Sequence, residues 1–193
     1  MKKCVFNDII SLLKERVNLD LFETYLTHFA SRITDGNSYT NLNFGDVAMV
    51  REVYESELSK VLELYLHLHE ETIPEMTEHL ENTWNEIMQD KNHHIIVKEI
   101  DDRIVSSCVC VIIPNLTRSI RPYAFIENVV THSDYRGKGY ATECLNYAKN
   151  IAEKTNCYKM MLLTGSKKDT TLNFYANAGY NSTDKTAFIQ WLE

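Results

Sequence analysis

The residues with the clearest chemical potential form the segment Arg136-Gly137-Lys138-Gly139-Tyr140-Ala141, between a strand-like run and an amphipathic helix. Two glycines one residue apart permit positive φ angles and let the backbone approach a ligand with no Cβ in the way. The free N–H groups at the start of the following helix would point to the same place. With the positive charges of Arg136 and Lys138, this arrangement is typical of an anion-binding site.

A carboxylate lies in the middle of the apolar run that precedes this turn. Strand alternation predicts that Phe125, Glu127, Val129 and Thr131 share one face and that Ile126, Asn128 and Val130 share the other. A charge at Glu127 is costly unless it is paired or faces a wet cleft. Two interpretations follow: a structural carboxylate with satisfied partners, or a general base in a reaction site.

Other ligand motifs do not fit. A dinucleotide-binding turn requires a small residue where Thr142 stands, and the spacing of a P-loop is absent. The five cysteines show neither C-x-x-C nor paired zinc-ligand spacing, which favours reduced thiols. His67 and His69, like the adjacent His93 and His94, cannot face a common metal ion. The sequence therefore predicts no metal site.

The elements around the turn follow a mixed α and β order. Strands are predicted over Val47–Val53, His93–Ile100, Arg103–Ile113, Phe125–Thr131, Lys159–Thr164 and Thr186–Leu192. Helices are predicted from about Ser56, over Glu75–Gln89, from the turn to Lys154, and through Ala178 with Asp169 as its N-cap. Asp101-Asp102 is suited to a hairpin turn. The helix to Lys154 predicts a parallel βαβ unit with a right-handed crossover.

The chain divides by pattern into two parts. Residues 5–33 predict two helices, and the polar segment 34–43 is the best linker candidate. We therefore expect an N-terminal helical extension over residues 1–45 and an α/β domain over residues 46–193. The apolar stripes of the extension suit packing on the chain's own domain or on a second copy in a homodimer.

Composition narrows the range of partners. The 193 residues carry a net charge of -7, which argues against nucleic acid as the main partner. Charged residues near the N-terminus interrupt any signal-peptide pattern, and no apolar run approaches the length of a membrane span. We expect a cytoplasmic protein with no membrane partner.

The segment Arg136 to Ala141 resembles the acyl-CoA loop of the GNAT superfamily of N-acetyltransferases, with Ala141 as an accepted variant at its last position. The order of elements from Val47 to Leu192 is also similar to that fold, a mixed central sheet flanked by helices. Three short segments further resemble the small-substrate branch that includes glucosamine-phosphate N-acetyltransferases. They are Phe125 to Val130, Cys157-Tyr158-Lys159 and Asn173-Phe174-Tyr175.

The resemblance implies direct transfer of an acetyl group from acetyl-CoA to a primary amine in a ternary complex. Glu127 would be the general base and Tyr175 the general acid for the departing thiolate. The implied cofactor-binding residues are Val129, Val130, Thr131, Arg136, Gly137, Lys138, Gly139, Tyr140, Ala141 and Asn173. The backbone of the strand would bind pantetheine and the oxyanion, the turn would bind pyrophosphate, and Asn173 would bind the pantetheine arm.

The acceptor stays open at this point. The helices from Ser56 to Gln89 and the loop after Ile113 are expected to shape its site, with Glu70, Glu71 or Glu75 attracting a cationic amine. The alternative from another class is a non-catalytic acyl-CoA-binding or interaction module of the same fold.

Overall fold

The computed structural model of the protein describes residues 49–68 and 70–192. The predicted extension over residues 1–45, with its two helices, lies outside the described residues. Within them, no helix is long and apolar enough to cross a lipid bilayer.

The described elements follow the predicted order as far as residue 177. The strands are β1 (Met49–Glu52), β2 (His93–Ile100), β3 (Arg103–Ile113), β4 (Tyr123–Thr131) and β5 (Met160–Leu162). The α-helices are α1 (Leu58–Tyr65), α2 (Glu78–Gln89), α3 (Tyr140–Lys154) and α4 (Asp169–Asn177). Short 3-10 turns occupy Glu55–Glu57 and Ser133–Tyr135.

The five strands form one mixed sheet in the order β1-β2-β3-β4-β5. β1 to β4 are antiparallel neighbours, whereas β4 and β5 run parallel on either side of the α3 crossover. Asp101 and Asp102 both have positive φ, 50° and 60°, as the tight hairpin between β2 and β3 requires. The predicted hairpin and the parallel strand pairing of the predicted βαβ unit are both confirmed.

Each face of the sheet carries its own core. Cys108 and Cys110 of β3 point to the α3 side, where they pack with Cys144 and Leu145 of that helix. Val109 points to the opposite side. There β-strand residues pack with Val61 and Leu64 of α1 and Trp84 of α2. Burial raises the pKa of both Cys110 and Cys144 to about 12, so these thiols behave as small apolar side chains.

The predicted strand over Thr186–Leu192 is wrong, because the described sheet ends at β5 and residues 185–192 form no strand. Phe188 and Trp191 are 92% and 81% exposed. An apolar, aromatic composition favours a strand, but a strand forms only where its backbone finds a partner edge. The pattern of this tail also lacks clean alternation, since Phe188 and Ile189 are adjacent.

Two helix starts also differ slightly from prediction. α2 begins at Glu78 rather than Glu75, because the Thr77 side chain accepts a hydrogen bond from the Leu80 N–H as N-cap. Asp169 is the first residue of α4 instead of its cap, a position taken by Lys168. A carboxylate in the first turn still complements the helix dipole.

Candidate functional site

The turn before α3 has the geometry that the glycines predict. Gly137 and Gly139 have φ of +75° and +84°, and Gly139 is the N-cap of the helix. A Cβ at either glycine would meet open space, so positive φ rather than crowding is what favours glycine there. The N–H groups of the first helical turn have no intrahelical partner and are available to an anion.

The Arg136 side chain forms hydrogen bonds that link the turn to neighbouring segments. Its Nε donates to the Thr131 carbonyl at 3.1 Å, and a terminal nitrogen donates to the His67 carbonyl at 3.3 Å. The guanidinium thus ties the turn to the end of β4 and to the segment after α1. The Nζ of Lys138 lies 4.8 Å from the centre of the Tyr135 ring.

Sequence reasoning missed a third cation close to the turn, in addition to Arg136 and Lys138. Lys98 of β2 is buried and donates to the Glu143 carboxylate at 2.5 Å, in the first turn of α3. Its Nζ also lies 5.4 Å from the ring centre of Tyr140. The available signal was a lysine in the middle of an apolar strand, since a buried ammonium group needs a partner.

A β-bulge interrupts β4 immediately after Glu127. Ser107 pairs with Val130 and Val109 pairs with Glu127, so Asn128 and Val129 together oppose the single residue Cys108. Asn128 takes the left-handed conformation, with φ of 49°. Asparagine tolerates this conformation better than most residues do.

The bulge overturns the predicted faces of β4. Val129 packs on the α3 side of the sheet, whereas Val130 belongs to the core under α1 and α2. Strict alternation had placed Val129 with Glu127 and had placed Val130 with Ile126. The extra residue changes the side of every position that follows it.

Tyr65 of α1 interacts with the side chain of Asn128 in the bulge. Burial raises the pKa of Tyr65, and a hydrogen bond with the Asn128 side chain offsets part of that rise. The polar side chain at the left-handed position therefore has a partner on the neighbouring helix. The sequence alone did not indicate this contact.

β4 separates from its parallel neighbour at the same point. The two strands pair only over Ala124–Ile126 and Met160–Leu162, although β4 continues to Thr131. Over residues 127–131, the edge of β4 on that side has no strand partner among the described residues. Val129, Val130 and Thr131 therefore lie where a ligand's backbone-like groups can take the place of the missing strand.

A cavity of about 360 Å³ lies on the α1 and α2 side of the sheet and reaches Glu127 and Asn128. This volume lies within the usual range for small-molecule sites. The other lining residues are Leu58, Val61, Leu62, Tyr65, Leu80, Thr83, Trp84, Ile87, His93, Ile95, Val109 and Val111. Glu127 is solvent-exposed, so it faces a cleft and is not enclosed in the core.

The carboxylates expected to attract an amine do not line this cavity. Glu70, Glu71 and Glu75 are exposed and are absent from its walls, as is the loop after Ile113. Among the described lining residues, Glu127 carries the only carboxylate. The expected contribution of α1 and α2 is found, whereas that of the loop is not.

Tyr175 is positioned by the end of α4. The Tyr180 N–H donates to the Tyr175 carbonyl and the Gly179 N–H donates to the Ala176 carbonyl, both at 3.0 Å. With Gly179 at φ of +90°, these bonds form a Schellman motif, and the rings of Tyr175 and Tyr180 pack edge to face at 6.1 Å. Burial raises the pKa of Tyr175, and the charges of Cys108 and Glu127 raise it further.

Tyr175 packs against the core on the α3 side, whereas Glu127 lines the cavity on the opposite side of the sheet. A tyrosine hydroxyl is protonated at neutral pH even at its ordinary pKa, so the raised pKa leaves Tyr175 in the form that a proton donor needs. Asn173 lies exposed on the same helix. No group of three His, Cys, Asp or Glu side chains in the described part of the chain is arranged to hold a metal ion.

The profile of the Acetyltransferase (GNAT) family matches residues 58–180, which include both candidate residues, the turn and the bulge. The chain belongs to the GNAT family of acetyltransferases. A Trypanosoma brucei brucei protein named glucosamine 6-phosphate N-acetyltransferase is 31% identical over 141 residues, covering 70% of this GNAT chain and 90% of the relative.

Solved structures agree with this GNAT assignment. A putative acetyltransferase from Agrobacterium tumefaciens is 34% identical with a TM-score of 0.68, covering 74% of this chain and 99% of its own. An aminoglycoside N-acetyltransferase in complex with CoA, only 15% identical, shares the fold with a TM-score of 0.63 over 78% of this chain and 99% of its own. The protein is therefore an acetyl-CoA-dependent N-acetyltransferase with the GNAT fold, as the sequence resemblance implied.

Proposed function

We propose that this GNAT enzyme moves an acetyl group from acetyl-CoA to a primary amine by direct attack within a ternary complex. The observation that supports this most is the position of Glu127. This carboxylate lines a cavity of small-molecule size and immediately precedes the bulge where β4 leaves its partner strand.

The backbone N–H groups and the charged side chains at the turn before α3 are suited to binding acetyl-CoA. The N–H groups of residues 137–141 would bind the pyrophosphate at the start of α3, where the helix dipole favours negative charge. Lys138 and the partly neutralised Lys98 add positive charge nearby. Arg136 would act mainly by fixing the turn, because its guanidinium already bonds to the carbonyls of Thr131 and His67.

The edge of β4 over residues 127–131 is suited to binding the pantetheine and thioester parts of acetyl-CoA. Backbone groups of Val129, Val130 and Thr131 would bind pantetheine, and an N–H from this edge would stabilise the oxyanion formed when the amine attacks. Asn173 on α4 would bond to the pantetheine arm. The bulge supports this role, because it redirects the backbone where the missing strand leaves room.

The proton transfers follow from the two candidate residues. Glu127, directly or through one water molecule, would accept a proton from the ammonium group so that its nitrogen can attack the thioester carbonyl. As the carbon–sulfur bond breaks, Tyr175 would donate its proton to the departing thiolate. The nitrogen of the tetrahedral intermediate would pass its second proton to the Tyr175 phenolate, which restores Tyr175. Glu127 would release its proton to solvent as the amide and the free thiol leave.

We also propose the division into a helical extension over residues 1–45 and an N-acetyltransferase domain over residues 46–193. The family match supports it, because residues 58–180 fall wholly within the second part. We also propose a cytoplasmic location, because the sequence shows no signal-peptide pattern and no apolar run of membrane-span length. A homodimer is proposed because the apolar stripes of the extension suit packing on a second copy of the chain.

Initial-rate kinetics test the proposed reaction. Both acetyl-CoA and a panel of primary amines are varied, with released CoA thiol and product mass as readouts. We expect one CoA per acetylated amine and intersecting double-reciprocal lines, as a ternary complex requires. Parallel lines would instead indicate a covalent acetyl-enzyme.

The non-catalytic alternative has a distinct result. A protein that only binds acyl-CoA would be stabilised by acetyl-CoA, by about 2.7 kcal/mol at a hundredfold excess over Kd, without releasing CoA beyond background. Stabilisation without turnover across the panel would therefore favour the binding module and contradict the enzyme mechanism.

A further inference from the structure

We propose that the amine acceptor of this enzyme carries an apolar body and no phosphate, as an arylalkylamine does. This inference rests on the proposed function and adds the substrate class. It follows from the walls of the cavity that ends at Glu127, here called the acceptor cavity, with the lining residues given above.

The walls of the acceptor cavity are apolar on both sides. β2 and β3 contribute Ile95, Val109 and Val111, and the helices contribute mainly leucine, isoleucine and valine side chains and Trp84. Burying apolar ligand surface against such walls is favourable by about 25 cal/mol per Å². A body made mostly of hydroxyl groups would lose its bonds to water without finding replacements.

The polar groups in these walls are largely engaged elsewhere. The Trp84 indole N–H donates to the Glu55 carbonyl at 2.8 Å, so this residue presents its apolar ring to a ligand. The Thr83 hydroxyl donates to the His79 carbonyl at 2.8 Å within α2. The Asn128 side chain bonds to Tyr65. Glu127 therefore remains as the group best suited to an ammonium ion.

The charge of the cavity disfavours a phosphate. None of the described lining residues is Arg or Lys. Burial lowers the pKa of His93, so its imidazole is neutral at pH 7. α2 carries Glu78, Glu81 and Glu86 and neither Arg nor Lys. A phosphate dianion would thus meet like charge where it needs cationic partners.

Lys60 does not alter this balance. It is the basic residue of α1, and it does not line the cavity. Its Nζ bonds to the Asp102 carboxylate at 2.6 Å, at the hairpin between β2 and β3. The acceptor class inferred here therefore differs from the substrate named for the 31% identical trypanosome relative.

A matched pair of amines tests the inference. Phenethylamine and glucosamine 6-phosphate are compared at saturating acetyl-CoA by CoA release and product mass. We expect kcat/KM for phenethylamine to be at least about tenfold higher, equivalent to 1.4 kcal/mol. Equal or faster acetylation of glucosamine 6-phosphate would overturn the acceptor class and leave the proposed reaction standing.

Absence of turnover with both amines and with the wider panel would contradict the proposed reaction itself, and the acceptor class with it. Turnover of other panel amines but not of phenethylamine would overturn the acceptor class alone. The outcomes of the two proposals are thereby distinguishable.

A charge placed in the cavity wall gives a second test. Thr83→Arg adds a cation at an exposed lining position on α2, and Asn82→Arg adds the same charge at an exposed position outside the lining. We expect Thr83→Arg to shift the kcat/KM ratio toward the phosphorylated amine by about tenfold. Asn82→Arg should leave the ratio unchanged. An equal shift in both variants, or none in a folded Thr83→Arg protein, would contradict the location of the acceptor.

Discussion

Replacing Asn128 tests the bulge that follows Glu127 in β4. The variants are Asn128→Gly, which accepts positive φ freely, and Asn128→Val, whose β-branched side chain strongly disfavours it. Tyr65→Phe is the matched control, because it removes the Tyr65 hydroxyl, which interacts with the Asn128 and Ser107 side chains, and leaves residue 128 itself unchanged.

The expected costs follow from the two interactions at this position. Losing the Tyr65 bond costs about 1 kcal/mol of unfolding free energy, so Tyr65→Phe and Asn128→Gly should each lose about that amount. Forcing a side chain of ordinary shape to φ of 49° adds about 1–2 kcal/mol. Asn128→Val should therefore lose about 2–3 kcal/mol.

Urea unfolding measures these differences, and CoA release measures their effect on catalysis. If Asn128→Val escapes the strain by removing the bulge, the register changes by one residue, and the β4 residues that follow, Val129 to Thr131, turn to the other side of the sheet. We expect kcat to fall far more in Asn128→Val than in Asn128→Gly. Equal stability of the two variants, or a larger loss in Asn128→Gly, would refute the left-handed conformation at Asn128.

Two further predictions concern the turn and an ion pair. Gly139→Ala should destabilise the protein by about 1–2 kcal/mol and raise KM for acetyl-CoA. Gly165→Ala should do neither, because Gly165 has similar open space around it but no positive φ. Equal effects of the two substitutions would contradict the role of φ. Burial would raise the pKa of Glu57, but bonds from Arg51 and the Tyr54 N–H outweigh it and lower that pKa below 4.5. Wild type should therefore lose unfolding free energy more steeply than Glu57→Gln as pH falls below about 4.5, which urea titrations at several pH values measure; parallel pH profiles would contradict the depressed pKa.

Most of the fold was predictable because its signals are local. The Asp-Asp pair predicted the β2–β3 hairpin, and two glycines before an amphipathic run predicted the start of α3. These features depend on φ preference and hydrophobic period within a few residues. The tail over Thr186–Leu192 was predicted wrongly because strand pairing is non-local. The sequence of the tail does not reveal whether a strand edge elsewhere in the fold is free to pair with it.

The candidate site was only partly predictable for the same reason. The sequence pointed to Glu127, to Tyr175 and to the turn. The structure places Glu127 at the cavity on the α1 and α2 side and packs Tyr175 against the core on the α3 side. The bulge was missed, because alternation assumes that each β4 residue opposes one β3 residue. An asparagine in an apolar strand was the available signal, but the Tyr65 contact joins residues far apart in the chain.

The central claim is that Glu127 accepts the proton of the attacking amine, and the pH dependence of Glu127→Gln tests it most directly. We expect kcat/KM to fall by about 10²–10⁴ at neutral pH with acetyl-CoA binding unchanged. The defect should shrink as pH rises toward the pKa of the amine, because solvent then removes the proton. A loss smaller than about tenfold, or a defect that stays constant with pH, would contradict the role of Glu127 as general base.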